Sequence, residues 1–186
     1  WSPDGTRIAY VGRDGVTPIP GVVKAGGSLP LAISPDRRFL YAASRGEPLF
    51  AASFAIDPRT GALSYRASAP LADSMAYIVT DRTGKFLLGA SYGGNKVSVN
   101  PIGPDGLVRA PIQSVATPPN AHAILPDPSN RYVLSTSLGG DQVMVFRFDL
   151  ATGALSPNDP PSVSVKAKGG PRHIRFHPNA RILYLL

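Results

Sequence analysis

Apolar and polar residues follow one another in short runs, not in helical stripes. Runs such as Phe39–Ala43, Phe50–Ile56, Phe86–Ala90, Lys96–Ile102, Tyr132–Thr136 and Gln142–Phe148 are bounded by Gly, Pro, Asn and Asp. No ten-residue segment carries apolar positions at helical spacing. Period-two runs between turn residues predict β-strands. The runs fall into a cycle of four. A first strand is predicted at Leu31–Ile33, Tyr77–Val79, Ala123–Leu125 and Ile174–Phe176, and a second at Phe39–Ala43, Phe86–Ala90, Tyr132–Thr136 and Ile182–Leu186. A third is predicted at Phe50–Ile56, Lys96–Ile102 and Gln142–Phe148, and a fourth at Leu63–Ala67, Val108–Ile112 and Val163–Lys166.

Two landmarks keep the beat of this cycle. The turn that opens at Ser34 recurs at Asp81, Asp127 and His177, with spacings of 47, 46 and 50 residues. A second turn carries Gly61, Gly106 and Gly153, spaced 45 and 47 apart. Ser2–Tyr10 is a further copy of the first landmark, only 32 residues before the next. Four strands per unit of this length is the signature of a β-propeller blade. The expected fold is all-β, a propeller of four-stranded antiparallel blades, with about four blades present. Residues 1–186 read as one partial propeller domain, in units of approximately 1–33, 34–80, 81–126 and 127–176, with 177–186 beginning the next. Because a blade buries its faces only between neighbours, the array is read as a fragment of a longer chain. Two copies completing one ring, or a partner covering the open ends, are the alternatives, and self-association through open blade edges belongs with them.

Composition changes this picture little. Cysteine is absent, which excludes disulfides and thiolate catalysis, and a cytoplasmic location is expected. No run of 18 apolar residues occurs, so no membrane partner is expected. The net charge of +7 raises nucleic acid as a partner. However, Arg37, Arg38, Lys85, Arg131 and Arg181 each follow a turn at corresponding places, as a solvated turn face does, and no nucleic-acid partner is expected. An anionic small substrate suits the same balance. Ser91–Asn95 and Leu138–Asp141 are glycine-rich strand exits without the Lys-Ser/Thr and helix of a phosphate loop, and Asn95 and Asp141 are expected to close turns. The three histidines lack close ligand spacing, so neither metal nor cofactor is expected.

Within a repeat, the copy that deviates points to function. His177 stands where other copies have Ser34, Asp81 and Asp127, all able to bond a tight turn, and is expected to be structural. Five residues before each landmark stand Leu29, Ala76, His122 and Arg172; the next column reads Pro30, Tyr77, Ala123 and His173. The first strand of a propeller blade lines the central channel, so His122 and Arg172 are expected on adjacent blades facing one cavity. The alternative reading of the same residues is a satisfied buried histidine and an arginine paired with a neighbouring carboxylate.

Asn120-Ala121-His122-Ala123, Asp127-Pro128-Ser129-Asn130-Arg131-Tyr132, Gly140-Asp141-Gln142-Val143 and Gly170-Pro171-Arg172-His173-Ile174-Arg175-Phe176-His177-Pro178 are the residues that carry a resemblance. From roughly residue 28 onward the chain resembles the lactonase family of seven-bladed propellers. That family includes propeller-type 6-phosphogluconolactonases and carboxy-cis,cis-muconate cyclase. The resemblance implies a ring of seven blades with a polar site in the channel, and His122 and Arg172 match the family's site histidine and arginine. It also implies a site glutamate shortly beyond Ile182-Leu183-Tyr184, which this chain stops short of. The expected reaction is hydrolysis of a sugar lactone. His122 would take a proton from water, Arg172 would face an anionic group or the developing oxyanion, and His173 would assist in substrate binding. A lactonising isomerase of the muconate cyclase type and a non-catalytic interaction scaffold are the alternatives. With the glutamate missing, the catalytic site is expected to be incomplete in this fragment.

Overall fold

The structure, a computed structural model, describes residues 29–186. The turn copy at Ser2–Tyr10 and most of the shortened first unit lie outside the described residues. The strands are β1 (Leu31–Ile33), β2 (Phe39–Ala43), β3 (Phe50–Ile56), β4 (Leu63–Pro70), β5 (Tyr77–Thr80), β6 (Phe86–Ser91), β7 (Lys96–Pro101), β8 (Gln113–Ala116), β9 (Ala121–Pro126), β10 (Tyr132–Ser137), β11 (Gln142–Phe148), β12 (Leu155–Ser164), β13 (Ile174–Phe176) and β14 (Leu183–Leu185). They form three four-stranded antiparallel sheets, β1–β4, β5–β8 and β9–β12, each in sequence order, and a two-stranded sheet β13–β14. The first strands pack side by side, β1 on β5, β5 on β9 and β9 on β13. This is a β-propeller with three full blades and two strands of a fourth among the described residues.

The turn landmark works through one backbone device. Its fourth residue is Arg37, Gly84, Asn130 or Ala180, and all four have positive φ, between 60° and 73°. The first residue caps the turn from its side chain. The Asp81 carboxylate accepts the N–H groups of Thr83, Lys85 and Phe86, and Asp127 accepts those of Ser129 and Tyr132. His177 does the same through its ring, with Nδ1 accepting the N–H of Asn179 at 3.1 Å. Neighbouring landmarks also hold each other. Asn130 Nδ2 donates to Asp81 Oδ2 at 2.8 Å, and Arg82 N donates to Asn130 Oδ1 at 3.0 Å.

The core lies between blades. Leu88, Val97 and Val99 of the second blade pack on Ile124, Val133, Met144 and Phe146 of the third, and Tyr41, Ala43 and Ala51 of the first pack on Ile78 and Leu87 of the second. Burying each large apolar side chain contributes roughly 1.5–3 kcal/mol, so the seams between blades carry most of the stabilisation. The seams repeat in detail. Phe39 covers Gly106 of the next blade, and Phe86 covers Gly153 of the one after; a Cβ at either glycine would overlap the ring. Tyr41 adds a hydrogen bond from its hydroxyl to the Gly106 carbonyl, 3.0 Å. At the third seam, Ala123 and Leu125 meet Ile174, Phe176, Leu183 and Leu185.

Two fourth strands differ from the pattern-based expectation. In the second blade the strand was expected at Val108–Ile112. Only an isolated bridge, Ile102 to Val108, forms there, and regular pairing resumes as β8 at Gln113. Pro111 has no N–H to donate to the ladder, so the strand restarts after it. In the third blade β12 begins at Leu155, well before the expected Val163. Its prolines 157, 160 and 161 hide the strand pattern, yet they are tolerated because β12 is the outer edge of its sheet.

Candidate active site

Antiparallel order brings three kinds of segment to one end of each sheet: the start of the first strand, the hairpin between second and third strands, and the link to the next sheet. In the third blade this end holds Ala121, Ser137, Gln142 and Ser164. His122 is the second residue of β9. Its neighbours Ala121 and Ala123 are buried, and strand alternation turns the imidazole to the other side, where it is half-buried. Arg172 and His173 stand just ahead of β13, both exposed.

The approach to Arg172 is fixed by backbone bonds. Asp141 accepts the N–H of Lys168 at 2.7 Å on Oδ2 and that of Gly170 at 2.9 Å on Oδ1. Asp141 has positive φ within its own tight turn, as expected, but its carboxylate serves the link that leads to the site. The Leu186 carbonyl accepts the N–H groups of Arg172 and His173, at 2.7 and 3.1 Å. Thr136, fully buried, donates its hydroxyl to the Arg172 carbonyl and accepts the N–H of Ala123, both at 3.0 Å.

These supports bring His122 and Arg172 together, although they are 50 residues apart in sequence. Arg172 Nε lies 3.3 Å and Nη2 3.2 Å from His122 Nε2. A guanidinium has donors only, so Nε2 must be the acceptor and the ring proton sits on Nδ1. Nδ1 is buried and has no hydrogen-bond partner among the described residues. The His173 ring stands edge-on to that of His122, with centroids 5.0 Å apart, and Tyr92 does so from another direction at 5.9 Å. Burial first, then the charge of Arg172, then that of His173, hold the His122 pKa below its ordinary value of 6.5. The imidazole is therefore neutral at pH 7 and basic at Nε2. A neutral imidazole beside a permanent cation is a set that can accept a proton and hold an anion. The expected alternative for Arg172, a partner carboxylate, has no counterpart among the ion pairs of the described residues.

Tyr92 was not singled out from the sequence. It belongs to the column Arg45, Tyr92, Leu138, which changes chemistry from copy to copy as the His122 column does. Its hairpin is fastened to the start of β9, with Asn120 N donating to Asn95 Oδ1 at 2.8 Å. It is also fastened to the preceding link by the Lys96–Asp73 ion pair, 2.9 Å. Between the inner strands, Arg175 lines a cavity of about 430 Å³ with Leu31, Ile33, Tyr77 and Val79. Cavities of about 740 and 810 Å³ lie at the opposite end, around the Asp36 turn, and hold none of the clustered residues. Chemistry and not volume marks the candidate site. Among the described residues no three His, Asp or Glu side chains gather as metal ligands would, and no helix is long and apolar enough to cross a membrane.

A propeller with an ionisable cluster where its inner strands begin is the class of protein that this fold and site define. Comparison narrows it: the chain belongs to the lactonase family of seven-bladed β-propellers, whose pattern matches residues 12–186, further toward the N-terminus than the legible resemblance. A 6-phosphogluconolactonase of Yersinia pestis is 39% identical over 166 residues, 89% of this chain and 47% of that protein. One of Serratia proteamaculans is 40% identical over 156 residues, 83% of this chain and 46% of that protein. Among solved structures, a periplasmic gluconolactonase of Pseudomonas aeruginosa superposes with a TM-score of 0.77 at 26% identity, over 84% of this chain and 50% of its own. A Lactobacillus plantarum protein does so with a TM-score of 0.68 at 25% identity, over 83% and 47%. The chain thus spans about half the length of the curated relatives that it matches.

Proposed function

We propose that residues 1–186 are part of a single propeller ring that hydrolyses a sugar lactone, of the 6-phosphogluconolactonase type. The observation that carries this reading is the Arg172–His122 pair, a neutral imidazole with its basic nitrogen against a guanidinium, on a lactonase propeller. Relatives named 6-phosphogluconolactonase support the substrate class.

In the proposed reaction, water adds to the lactone carbonyl carbon while His122 Nε2 takes its proton. Charge developing on the carbonyl oxygen, or already present on the substrate, is met by Arg172. The tetrahedral adduct then collapses. The bond from carbonyl carbon to ring oxygen breaks, and the imidazolium returns the proton to that oxygen. A free hydroxy acid results, and the base is regenerated. His173, exposed beside His122, is assigned to substrate binding. A phosphate carries charge that a bilayer excludes, so a phosphorylated lactone is met where it is made. A cytoplasmic location, where phosphorylated sugars are retained, is part of this proposal.

The test is acid release by the full-length protein from 6-phosphoglucono-1,5-lactone, corrected for spontaneous opening. H122A is expected to lower turnover by about 10² or more, the usual contribution of a positioned general base. An unchanged rate in H122A would remove His122 from the reaction.

A further inference from the structure

The pair that makes the site attractive also blocks it. His122 Nε2 has one lone pair, and two N–H groups of Arg172 are directed at it, from 3.3 and 3.2 Å. A water molecule cannot hand its proton to a nitrogen whose lone pair is already engaged. We propose that the substrate's own anionic group frees the base: it draws the Arg172 guanidinium off His122 Nε2, so only lactones that carry an anion, or are accompanied by one, are opened efficiently. This inference rests on the lactonase reading above and names the substrate feature that would operate the site.

Three observations support it. First, Arg172 has a better partner to gain. Its present acceptor is a neutral nitrogen, and no carboxylate pairs with it among the described residues. A phosphate or carboxylate binds guanidinium through two parallel bonds between opposite charges, an ion-pair attraction that the neutral imidazole nitrogen does not supply. Second, the move needs only the side chain. The backbone at Arg172 is held by Leu186 and Thr136, while the side chain is exposed. Third, the His122 ring has two contacts that do not involve the Arg172 side chain, edge-on with Tyr92 and with His173.

The charges around His122 give the coupling a sign. Among the described residues, the groups that face it are Arg172 and His173 from the segment ahead of β13 and Tyr92 from the β6–β7 hairpin, and none of these is a carboxylate. The surroundings therefore disfavour the imidazolium. An anion that captures Arg172 removes both the lone-pair block and much of the opposing charge, so His122 becomes more basic when the proton must move.

Two measurements on the full-length protein decide the matter. The first is an NMR pH titration of the His122 ring, assigned by its loss in H122Q, with and without inorganic phosphate. Phosphate is expected to raise the His122 pKa by half a unit or more; no change, or a fall, overturns the proposal. The second uses the anion in pieces: glucono-1,5-lactone, which has no phosphate, with added inorganic phosphate. Low phosphate is expected to raise its rate severalfold, while it competes against 6-phosphoglucono-1,5-lactone. In R172A, checked for folding by circular dichroism, the phosphate effect should vanish and the preference between the two lactones collapse. Hydrolysis of the phospholactone with no phosphate response at His122 or on the neutral lactone would sink the gate and leave the lactonase reading standing. A phosphate response at His122 without hydrolysis of either lactone would keep the anion-operated pair and sink the lactonase reading.

Discussion

The hydroxyl of Thr136 donates to the carbonyl of Arg172 at 3.0 Å while it accepts the N–H of Ala123, the residue after His122. One buried side chain thus sets the distance between the strand that carries the imidazole and the segment that carries the guanidinium. T136V keeps the volume and loses both bonds, leaving a buried N–H and a carbonyl without this partner. A cost of about 1–3 kcal/mol is expected in urea denaturation. The positioning role makes a second, separate claim: kcat should fall more than KM rises, and T136S should restore both kcat and stability. A T136V enzyme that is less stable but catalytically normal would leave Thr136 with a purely structural role.

The site was legible in part because the copies line up. Once Ser34, Asp81, Asp127 and His177 are in register, His122 and Arg172 fall in one column, and the repeat brings adjacent blades together. Their direct bond was not legible, since it depends on rotamers that a sequence does not state. The same holds for Asp141, whose two bonds reach 27 and 29 residues ahead, and for Thr136, which in sequence is one alternating position of β10. Tyr92 stands in a column that changes between copies, but its Ser91–Asn95 setting reads as a glycine-rich strand exit. In the three full blades, strands two and three fall within one residue of their expected bounds because no proline lies inside them, Pro101 standing only at the end of β7. β8 and β12 escaped because proline breaks the period on which the reading depends.

Asp81 should govern part of the acid stability. It is fully buried, which alone would raise its pKa, but hydrogen bonds from Thr83, Asn130 and Phe86 outweigh burial and hold it below the ordinary carboxylate value of 3.8. A carboxylate with a depressed folded pKa contributes stability above its unfolded pKa and loses it as pH falls through the folded one. Urea midpoints followed downward from pH 6 should therefore fall for the native protein below about pH 4. D81N should be less stable at pH 6 and have a flatter profile. Parallel profiles would show that other carboxylates set the acid limit.

The rate should depend on pH through His122. Its pKa lies below 6.5 in the free protein, so the acid limb of kcat/KM should fall below that value, with activity rising as the imidazole loses its proton. Burial and the Arg172 charge are the larger causes, and His173 is the third. H173N removes a group whose charge opposes the imidazolium, so the limb should move toward 6.5. A limb that moves further to acid in H173N would reverse the sign assigned to that contact.

His177 offers the contrasting case within the same motif. Its Nδ1 accepts the Asn179 N–H at 3.1 Å, and its ring meets Tyr184 edge-on at 6.0 Å. It stands where the Asp81 and Asp127 carboxylates accept the equivalent N–H groups, of Thr83 and Ser129, in the second and third blades. H177A should therefore cost about 1 kcal/mol through the lost turn bond, with kcat near the native value. H177D is the sharper variant, because a carboxylate at this position has two working precedents in the same chain. It should recover the stability lost in H177A in urea denaturation at pH 7, where the carboxylate is ionised. Measured beside H122A, the two histidines should separate cleanly, one moving the denaturation midpoint and the other the turnover. If H177A instead lowers kcat at unchanged stability, the column that assigns His177 to the turn is misread.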